Sequence, residues 1–248
     1  MRKKRNLFLM MLASILLISF FYVIRLGAVE ITYRDILNII TYRLGLSDLT
    51  VSKTALIIIE KVRLPRVIMS ILVGSTLATA GAAMQALYQN PMADPYIIGI
   101  SSSASLGAVL AFFLNLSPGY YGLFAFFLSL ITASILYQFS RVGKRSSVIM
   151  LLLLGIGLSA FFGSITSFLI YFVGEDSFAV IIWLNGYLGD ANWQKVGLAI
   201  IPIILGILIL NWRARDLNMF LTGEEEAYYL GVDVELIKKI ILGISTLI

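Results

Sequence analysis

The segment Val148–Val173 reads VIMLLLLGIGLSAFFGSITSFLIYFV and contains no Asp, Glu, Lys or Arg. A helix needs about 20 consecutive apolar residues to cross the hydrocarbon layer of a membrane, and this segment is longer than that. A helix closes its backbone hydrogen bonds within the segment, as lipid requires, and the apolar residues do not alternate with polar ones as in a barrel strand. The segment therefore predicts a membrane-spanning α-helix.

Apolar stretches of the same kind recur along the chain. Five more are long enough to span a membrane, and these are Leu7–Ile24, Val67–Tyr88, Tyr96–Leu116, Tyr120–Phe139 and Val196–Trp212. A seventh begins near Leu236 and stops at Ile248, so we expect a fragment or a product that lacks its last helices, with a short terminal half-helix as the alternative. The chain is 59% hydrophobic and 13% charged, whereas a soluble domain has about 25% charged residues. We predict an all-α polytopic membrane protein with one transmembrane domain over residues 1–248.

Basic residues indicate how the chain is oriented, because Lys and Arg concentrate on the cytoplasmic side of a membrane. The group Arg2–Arg5 predicts a cytoplasmic N-terminus, and the first helix is expected to stay uncleaved because no A-x-A site follows it. Successive crossings place the acidic loop Gly174–Trp193 outside and the remaining basic groups inside, namely Arg141, Lys144, Arg145, Arg213 and Arg215. The segment Gly27–Arg66 disagrees, because it falls outside yet is rich in Lys and Arg. We attribute the formal charge of +5 to membrane orientation rather than to nucleic-acid binding.

The residue types of the chain exclude most catalytic chemistry. Without histidine or cysteine there is no Ser-His pair, no thiol nucleophile and no imidazole or thiolate ligand, so we predict no catalytic residue and no metal site. Gly189-Asp190 resembles an intramembrane aspartyl motif only faintly, since Tyr187 stands where that motif needs glycine. Gly143-Lys144 lacks the preceding glycine of a phosphate-binding loop, so we expect any ATP hydrolysis on a partner.

Two alternative classes are weighed against a transport subunit: an integral-membrane enzyme and an ion-coupled carrier or channel. The enzyme needs convergent acid, base or nucleophile groups within the spans, and the carrier needs charged residues in mid-helix. The spans contain almost no ionisable residue, and their polar members are Ser, Thr, Gln85 and Asn90. Both alternatives are therefore disfavoured.

Small residues recur at every fourth position in three predicted helices, which places each set on one helical face. The three sets are Ser70, Gly74, Ala78 and Ala82; Gly99, Ser103, Gly107 and Ala111; and Gly155, Ser159, Gly163 and Ser167. Such faces allow close packing of helix backbones, and they also suit the lining of a path that changes shape. The spacing leaves both interpretations open.

Three blocks of sequence carry a resemblance to a known family. Residues 63–108 read RLPRVIMSILVGSTLATAGAAMQALYQNPMADPYIIGISSSASLGA, residues 183–193 read WLNGYLGDANW, and residues 217–232 read LNMFLTGEEEAYYLGV. The first block contains R-L-P-R, a glycine-rich helix and Q-x-x-x-x-N-P-[LM]-A-[DE]-P-x-x-x-G-[IV]-S. The chain resembles the iron-siderophore, haem and cobalamin permeases of ABC importers from about Leu7 to its end. The resemblance implies a fold of about ten helices, of which about seven would lie in this chain.

The resemblance also implies roles for particular residues. It implies that Asn90 and Met92 belong to a gate, with Ser146, Ser147 and Val148 as a second gate element, and that Arg63 and Arg66 receive acidic residues of a substrate-binding protein. It implies that residues 217–232 form a cytoplasmic loop that couples to an ATPase. The coupling residues implied are Gly223, Glu224, Glu225, Ala227, Leu230 and Gly231.

The physical chemistry of these segments is compatible with those roles. Proline disfavours helix at the residue before it, so Asn90-Pro91 and Asp94-Pro95 predict a turn between two helices, with a plain connector as the alternative. The acids after Gly223 suit a helix N-terminus and Gly231 suits a helix end, while Ala227, Tyr228 and Leu230 could enter a partner's groove; a solvated loop is the alternative. Arg63 and Arg66 could instead anchor their helix at the headgroups.

The resemblance finally implies an assembly and a location. We expect a homodimer with two ABC ATPase subunits, an extracytoplasmic substrate-binding protein, surrounding lipid and no nucleic acid. No cofactor is expected in this chain, because ATP and Mg²⁺ would be held by the ATPase. The expected location is the plasma membrane of a prokaryote, and the expected cargo is an iron chelate, either a siderophore or haem, or cobalamin. No residue of the chain chooses among these cargoes.

Overall fold

The computed structural model describes residues 2–48, 50–94, 96, 99–142 and 145–247. Pro95, Gly143 and Lys144, which enter the sequence interpretation above, lie outside the described residues. Almost all of the described chain is helical. The helices are α1 (Arg2–Arg25), α2 (Tyr33–Arg43), α3 (Lys53–Ile57), α4 (Leu64–Tyr88), α5 (Ile100–Phe113), α6 (Gly119–Phe139), α7 (Val148–Val173), α8 (Ser177–Leu184), α9 (Trp193–Trp212), α10 (Ala214–Phe220), α11 (Glu224–Tyr229) and α12 (Val234–Leu247).

A short hairpin is the exception to helix. Strands β1 (Arg141–Val142) and β2 (Arg145–Ser146) pair antiparallel between α6 and α7, with Arg141 opposite Ser146. Four paired residues do not make a sheet domain, so the predicted all-α membrane fold is confirmed.

The predicted spans correspond to helices of the structure. Within the described residues, five segments are long and apolar enough to cross a membrane: Lys3–Arg25, Lys53–Tyr88, Gly119–Phe139, Val148–Leu184 and Trp193–Trp212. The sixth predicted span is the shorter helix α5, because left-handed residues flank it on both sides, Gly99 with φ 80° and Asn115 with φ 53°. The seventh is α12, which begins two residues before Leu236.

Several helices were not expected from hydropathy. A π-helical turn, Ile58–Arg63, joins α3 to α4, so this span begins at Lys53 and not at Val67. The charged residues of this turn interrupt the apolar pattern, so hydropathy did not show that the helix continues through it. Helix α2 carries a capping box, in which the Thr32 hydroxyl accepts from the Asp35 N–H and the Asp35 carboxylate accepts from the Thr32 N–H. These bonds satisfy orphan donors at the helix start, and they lower the pKa of Asp35, the backbone N–H of Thr32 contributing most.

The chain divides into two compact units, Met1–Leu72 with Leu188–Leu198, and Val73–Tyr187 with Ala199–Ile248. We call them unit 1 and unit 2. A small apolar core in unit 1 is formed by Ile24, Ile31, Ile36, Ile39, Ile59 and Val67. The larger core of unit 2 includes Met84, Leu136, Leu151, Phe220 and Ile241. The expectation of one permease domain stays a prediction.

Helix α5 is packed closely against α6 in unit 2. Ser103 and Ala111 are fully buried, and a Cβ atom placed on Gly107 would lie 2.4 Å from the Phe124 carbonyl oxygen. The second set of small residues is therefore a packing face. The first set, on α4, is exposed, and a Cβ at Gly74 would meet nothing within 4 Å.

Candidate functional site

The turn after α4 contains the first predicted gate residues. Helix α4 ends in a Schellman arrangement, in which the Gln89 N–H donates to the Ala86 carbonyl (3.3 Å) and the Asn90 N–H donates to the Gln85 carbonyl (3.2 Å). This arrangement needs a left-handed residue, and Gln89 supplies it with φ 49°. The helix therefore stops where the sequence predicted a turn.

Asn90 and Met92 share this turn. The Asn90 side-chain oxygen accepts from the Met92 N–H at 2.9 Å, which folds the chain back on itself. The Gln85 amide donates to the Pro91 carbonyl at 3.1 Å and ties the turn to the helix. As a result the Met92 side chain is 81% exposed. The turn presents an apolar side chain on a braced backbone, and its role as a gate stays a prediction.

The second predicted gate element begins α7. Ser146 ends β2 and is buried, Ser147 caps α7 by accepting from the Met150 N–H at 3.3 Å, and Val148 packs against the core of unit 2. The Ser147 N–H donates to the Ser140 carbonyl at 2.9 Å, which closes the hairpin. The three residues are thus fixed in position, and their gating role stays a prediction.

Glu235 of α12 is hydrogen-bonded to this hairpin. It was not among the site residues predicted from the sequence. Its carboxylate accepts from the Ser146 N–H (2.9 Å), from the Ser146 hydroxyl (3.0 Å) and from the Tyr137 hydroxyl of α6 (2.8 Å). Burial raises the pKa of Glu235, but these hydrogen bonds and the charge of Lys238 outweigh it, so the net pKa lies below its usual value. The carboxylate is therefore held in its charged form.

Lys238 completes the cluster, and it too was missed. Its side chain is fully buried, and its Nζ lies 2.5 Å from Glu224 Oε1 and 3.5 Å from Glu235 Oε1. The same Nζ donates to the Ser146 carbonyl. The Glu235–Lys238 spacing of three residues could have suggested a pair on one helix face. Nothing in the sequence, however, indicated that the predicted coupling residue Glu224, which lies in a different helix, contacts Lys238.

The predicted coupling residues lie on and around α11. Gly223 with φ 135° precedes the helix and Gly231 with φ 87° follows it, and both conformations favour glycine. Glu225 and Leu230 are exposed and Glu224 is half-buried. Ala227 differs from the expectation, because its side chain is fully buried in the core of unit 2 and cannot face a partner.

Tyr229 of α11, which was not among the predicted coupling residues, is more exposed than the predicted Leu230. Its side chain is 83% exposed, against 62% for Leu230. A groove of about 840 Å³ adjoins this surface, lined mainly by acidic and aromatic side chains. Its lining includes Glu224, Glu225, Tyr228, Tyr229, Asp233 and Glu235. The surface is thus acidic, aromatic and open.

The two predicted docking arginines, which both lie in unit 1, differ in burial and in their hydrogen bonds. The Arg63 side chain is buried, and its guanidinium donates to the carbonyl oxygens of Ile24 (2.8 Å), Arg25 (2.6 Å) and Val29 (2.5 Å). Arg66 is exposed and donates to the Gly189 carbonyl at 2.5 Å. Arg63 thus fixes the chain segment that follows α1. Docking stays a prediction for the pair.

The acidic residues of the described chain do not gather into a metal-binding cluster. Among these residues, no group of three or more His, Cys, Asp or Glu side chains could hold a metal ion. The acids near α11 are instead engaged with Lys238 and with backbone and hydroxyl groups, or face solvent.

The sequence matches a family model described as the FecCD transport family over residues 15–248. It is 35% identical over 204 residues to a cobalamin import system permease protein, BtuC, of Halobacterium salinarum, covering 80% of this chain and 54% of that protein. It is 37% identical over 198 residues to a hemin transport system permease protein, HmuU, of Yersinia pestis, covering 75% of this chain and 58% of that protein. The chain therefore spans little more than half the length of these curated relatives.

A solved structure has a similar fold. It is described as a metal-chelate-type ABC transporter in an inward-facing conformation, and it matches with a TM-score of 0.83 and 25% sequence identity. The match covers 98% of this chain and 73% of that chain.

Proposed function

The chain belongs to the FecCD transport family, and we propose that it is the membrane-spanning permease subunit of an ABC importer. The observation that carries this proposal is the exposed acidic helix α11, held between Gly223 and Gly231 at the position where the family resemblance expects an ATPase-coupling loop. A short helix that is bounded by glycines and exposes acidic and aromatic side chains is suited to docking on a partner.

The partner at α11 is an ABC ATPase with a basic docking surface. Glu225 and Asp233 are exposed beside the aromatic Tyr229, and opposite charges steer association while aromatic side chains anchor it. ATP and Mg²⁺ are held by that ATPase, so no cofactor is required in this chain. Two copies of the permease and two ATPases make up the assembly.

A substrate-binding protein docks on unit 1, at the predicted arginines. Arg66 carries the docking role, because it is exposed and its guanidinium donates to the Gly189 carbonyl. Arg63 supports it by fixing the chain that follows α1. In this proposal the N-terminus lies in the cytoplasm of a prokaryotic cell, and residues 189 and 66 lie on the outer side of the plasma membrane.

Transport follows alternation of two openings. ATP-driven closure of the ATPases moves α11, and the turns at Asn90–Met92 and Ser146–Val148 open or close the path to the cytoplasm. The cargo is an iron chelate, namely a ferric siderophore or haem, or it is cobalamin. The named relatives support haem and cobalamin within this range, since they are described as cobalamin and hemin permeases.

Docking of the ATPase tests the proposal directly. The permease, purified in detergent, is titrated with its cognate ABC ATPase, and binding is measured for wild type and for Y229A and E225K. Loss of a well-packed interfacial aromatic weakens binding by about 2 kcal/mol, or about 30-fold, and charge reversal of Glu225 weakens it in a salt-dependent way. Wild-type affinity in both variants would remove α11 from the interface.

A further inference from the structure

Lys238 connects α11 to the hairpin that precedes α7. Its ammonium is fully buried within unit 2 and contacts the Glu224 carboxylate of α11 at 2.5 Å on one side and the Ser146 carbonyl on the other. Its ammonium also forms an ion pair with Glu235 at 3.5 Å, and the Glu235 carboxylate accepts hydrogen bonds from Ser146 of the same hairpin and from Tyr137 of α6. One buried cation therefore joins the coupling helix to the second predicted gate element.

The connection between α11 and the hairpin resists breaking, because separating a buried charge from its partner is unfavourable. A buried ammonium is stable only while its acceptors surround it, so moving Glu224 away from Lys238 leaves a charge without its partner. A charge-assisted hydrogen bond to a buried group is stronger than an exposed ion pair. If Glu224 is displaced, Lys238 therefore moves with it before their contact breaks.

The far end of the connection is equally constrained. Ser146 is buried and bonded through its carbonyl, its N–H and its hydroxyl to Lys238 and Glu235. The next residue, Ser147, caps the first turn of α7. A pull on Ser146 therefore changes the position of the start of α7.

We propose that Lys238 is a positioning residue that carries the displacement of α11 to the Ser146–Val148 turn and so couples ATP hydrolysis to opening of the path. This inference rests on the proposed function. Lys238 is fully buried, and it acts through Glu224 on one side and Ser146 on the other. Glu235 pairs with Lys238 and is itself hydrogen-bonded to Ser146 and Tyr137.

The test measures cargo taken up per ATP hydrolysed in liposomes that contain the permease, its ATPase and its binding protein. The variants are K238M, which keeps the length of the side chain and removes the charge, E224Q, and the double variant. We expect K238M to lower the uptake per ATP about tenfold, as for loss of one charge-assisted contact, while ATPase activity persists. E224Q lowers it similarly, and the double variant is no worse than either single one, because the two residues act through one contact.

K239M is the matched control, because Lys239 is the exposed neighbour of Lys238 on the same helix. It should keep the wild-type ratio of uptake to hydrolysis. A second readout uses the absence of native cysteine. A single R141C on β1 reports the hairpin, and nucleotide-dependent change in its thiol labelling should disappear in K238M and persist in K239M.

The outcomes separate this inference from the proposed function. No ATP-dependent uptake by the assembled wild-type complex overturns the proposed function. Wild-type uptake together with an unchanged ratio and unchanged labelling in K238M overturns the role of Lys238 alone. If K238M fails to assemble, E224Q decides, because Lys238 then keeps Glu235 and Ser146 as acceptors; an unchanged ratio in E224Q overturns the inference.

Discussion

Replacing Gly107 by alanine should separate α5 from α6 and destabilise the protein. The new Cβ would lie 2.4 Å from the Phe124 carbonyl oxygen, 2.7 Å from its carbon and 2.9 Å from the Ala125 Cα. All three contacts are backbone atoms of one helix, so no side chain can rotate away and the two helices must move apart. Overpacking of this kind costs about 1–3 kcal/mol.

Gly74→Ala is the control that isolates this cost. Its Cβ would meet nothing within 4 Å, and both substitutions gain the same helix propensity of alanine over glycine, about 1 kcal/mol. The propensity cancels in the difference between the two variants, which leaves about 2 kcal/mol, or about 30-fold in the unfolding equilibrium. G74A should be as stable as wild type or more stable, and G107A less stable than both.

Unfolding in mixed micelles, followed by tryptophan fluorescence, measures the two variants under one condition. The difference should appear as an earlier midpoint for G107A. Equal midpoints for G107A and G74A would contradict the close packing of α5 against α6, and with it the interpretation of Gly99, Ser103, Gly107 and Ala111 as a packing face.

Three further predictions concern other parts of the molecule. R63M should lower the free energy of unfolding by about 3 kcal/mol, because three carbonyl oxygens lose their donor, and R66M by less than about 1 kcal/mol, because that side chain is exposed; thermal unfolding of both variants checks this, and equal losses would refute the anchoring role of Arg63. Glu235 has a pKa lowered from 4.5, so its stabilising effect is complete above that pH and is lost as the pH falls below it through the folded-state pKa; E235Q should flatten the acid side of the stability profile, and an unchanged profile would contradict its bonds to Ser146 and Tyr137. G231A should cost about 1–2 kcal/mol, because Gly231 has φ 87°, whereas G197A, in open space within α9, should be as stable as wild type or more stable; a thermal-shift assay that finds the two alike would argue against the left-handed end of α11.

Hydropathy was sufficient to predict the membrane fold, because the long apolar helices depend on composition alone. Val148–Val173 and Tyr120–Phe139 were placed within a residue of α7 and α6. The start of α4 was misplaced, because Glu60 and Arg63 interrupt the apolar run while the backbone continues as a π-helical turn. A charge in a helix can be satisfied by distant carbonyls, and no local pattern reports this.

The candidate site likewise has features that the sequence could predict and features that it could not. The turn at Asn90 and the ends of α11 could be predicted, because proline and glycine act on the backbone where they stand. The burial of Ala227 and the contacts of Lys238 could not, since they depend on which helices meet in space. The predicted roles of these residues still await measurement.

ATP-driven uptake into liposomes tests the central claim most directly. The permease is reconstituted with the neighbouring ATPase and binding protein, and radiolabelled ferric siderophore, haem and cobalamin are offered separately. The account predicts that one of these cargoes accumulates only when ATP, the ATPase and the binding protein are all present. Accumulation that persists without the ATPase would contradict it.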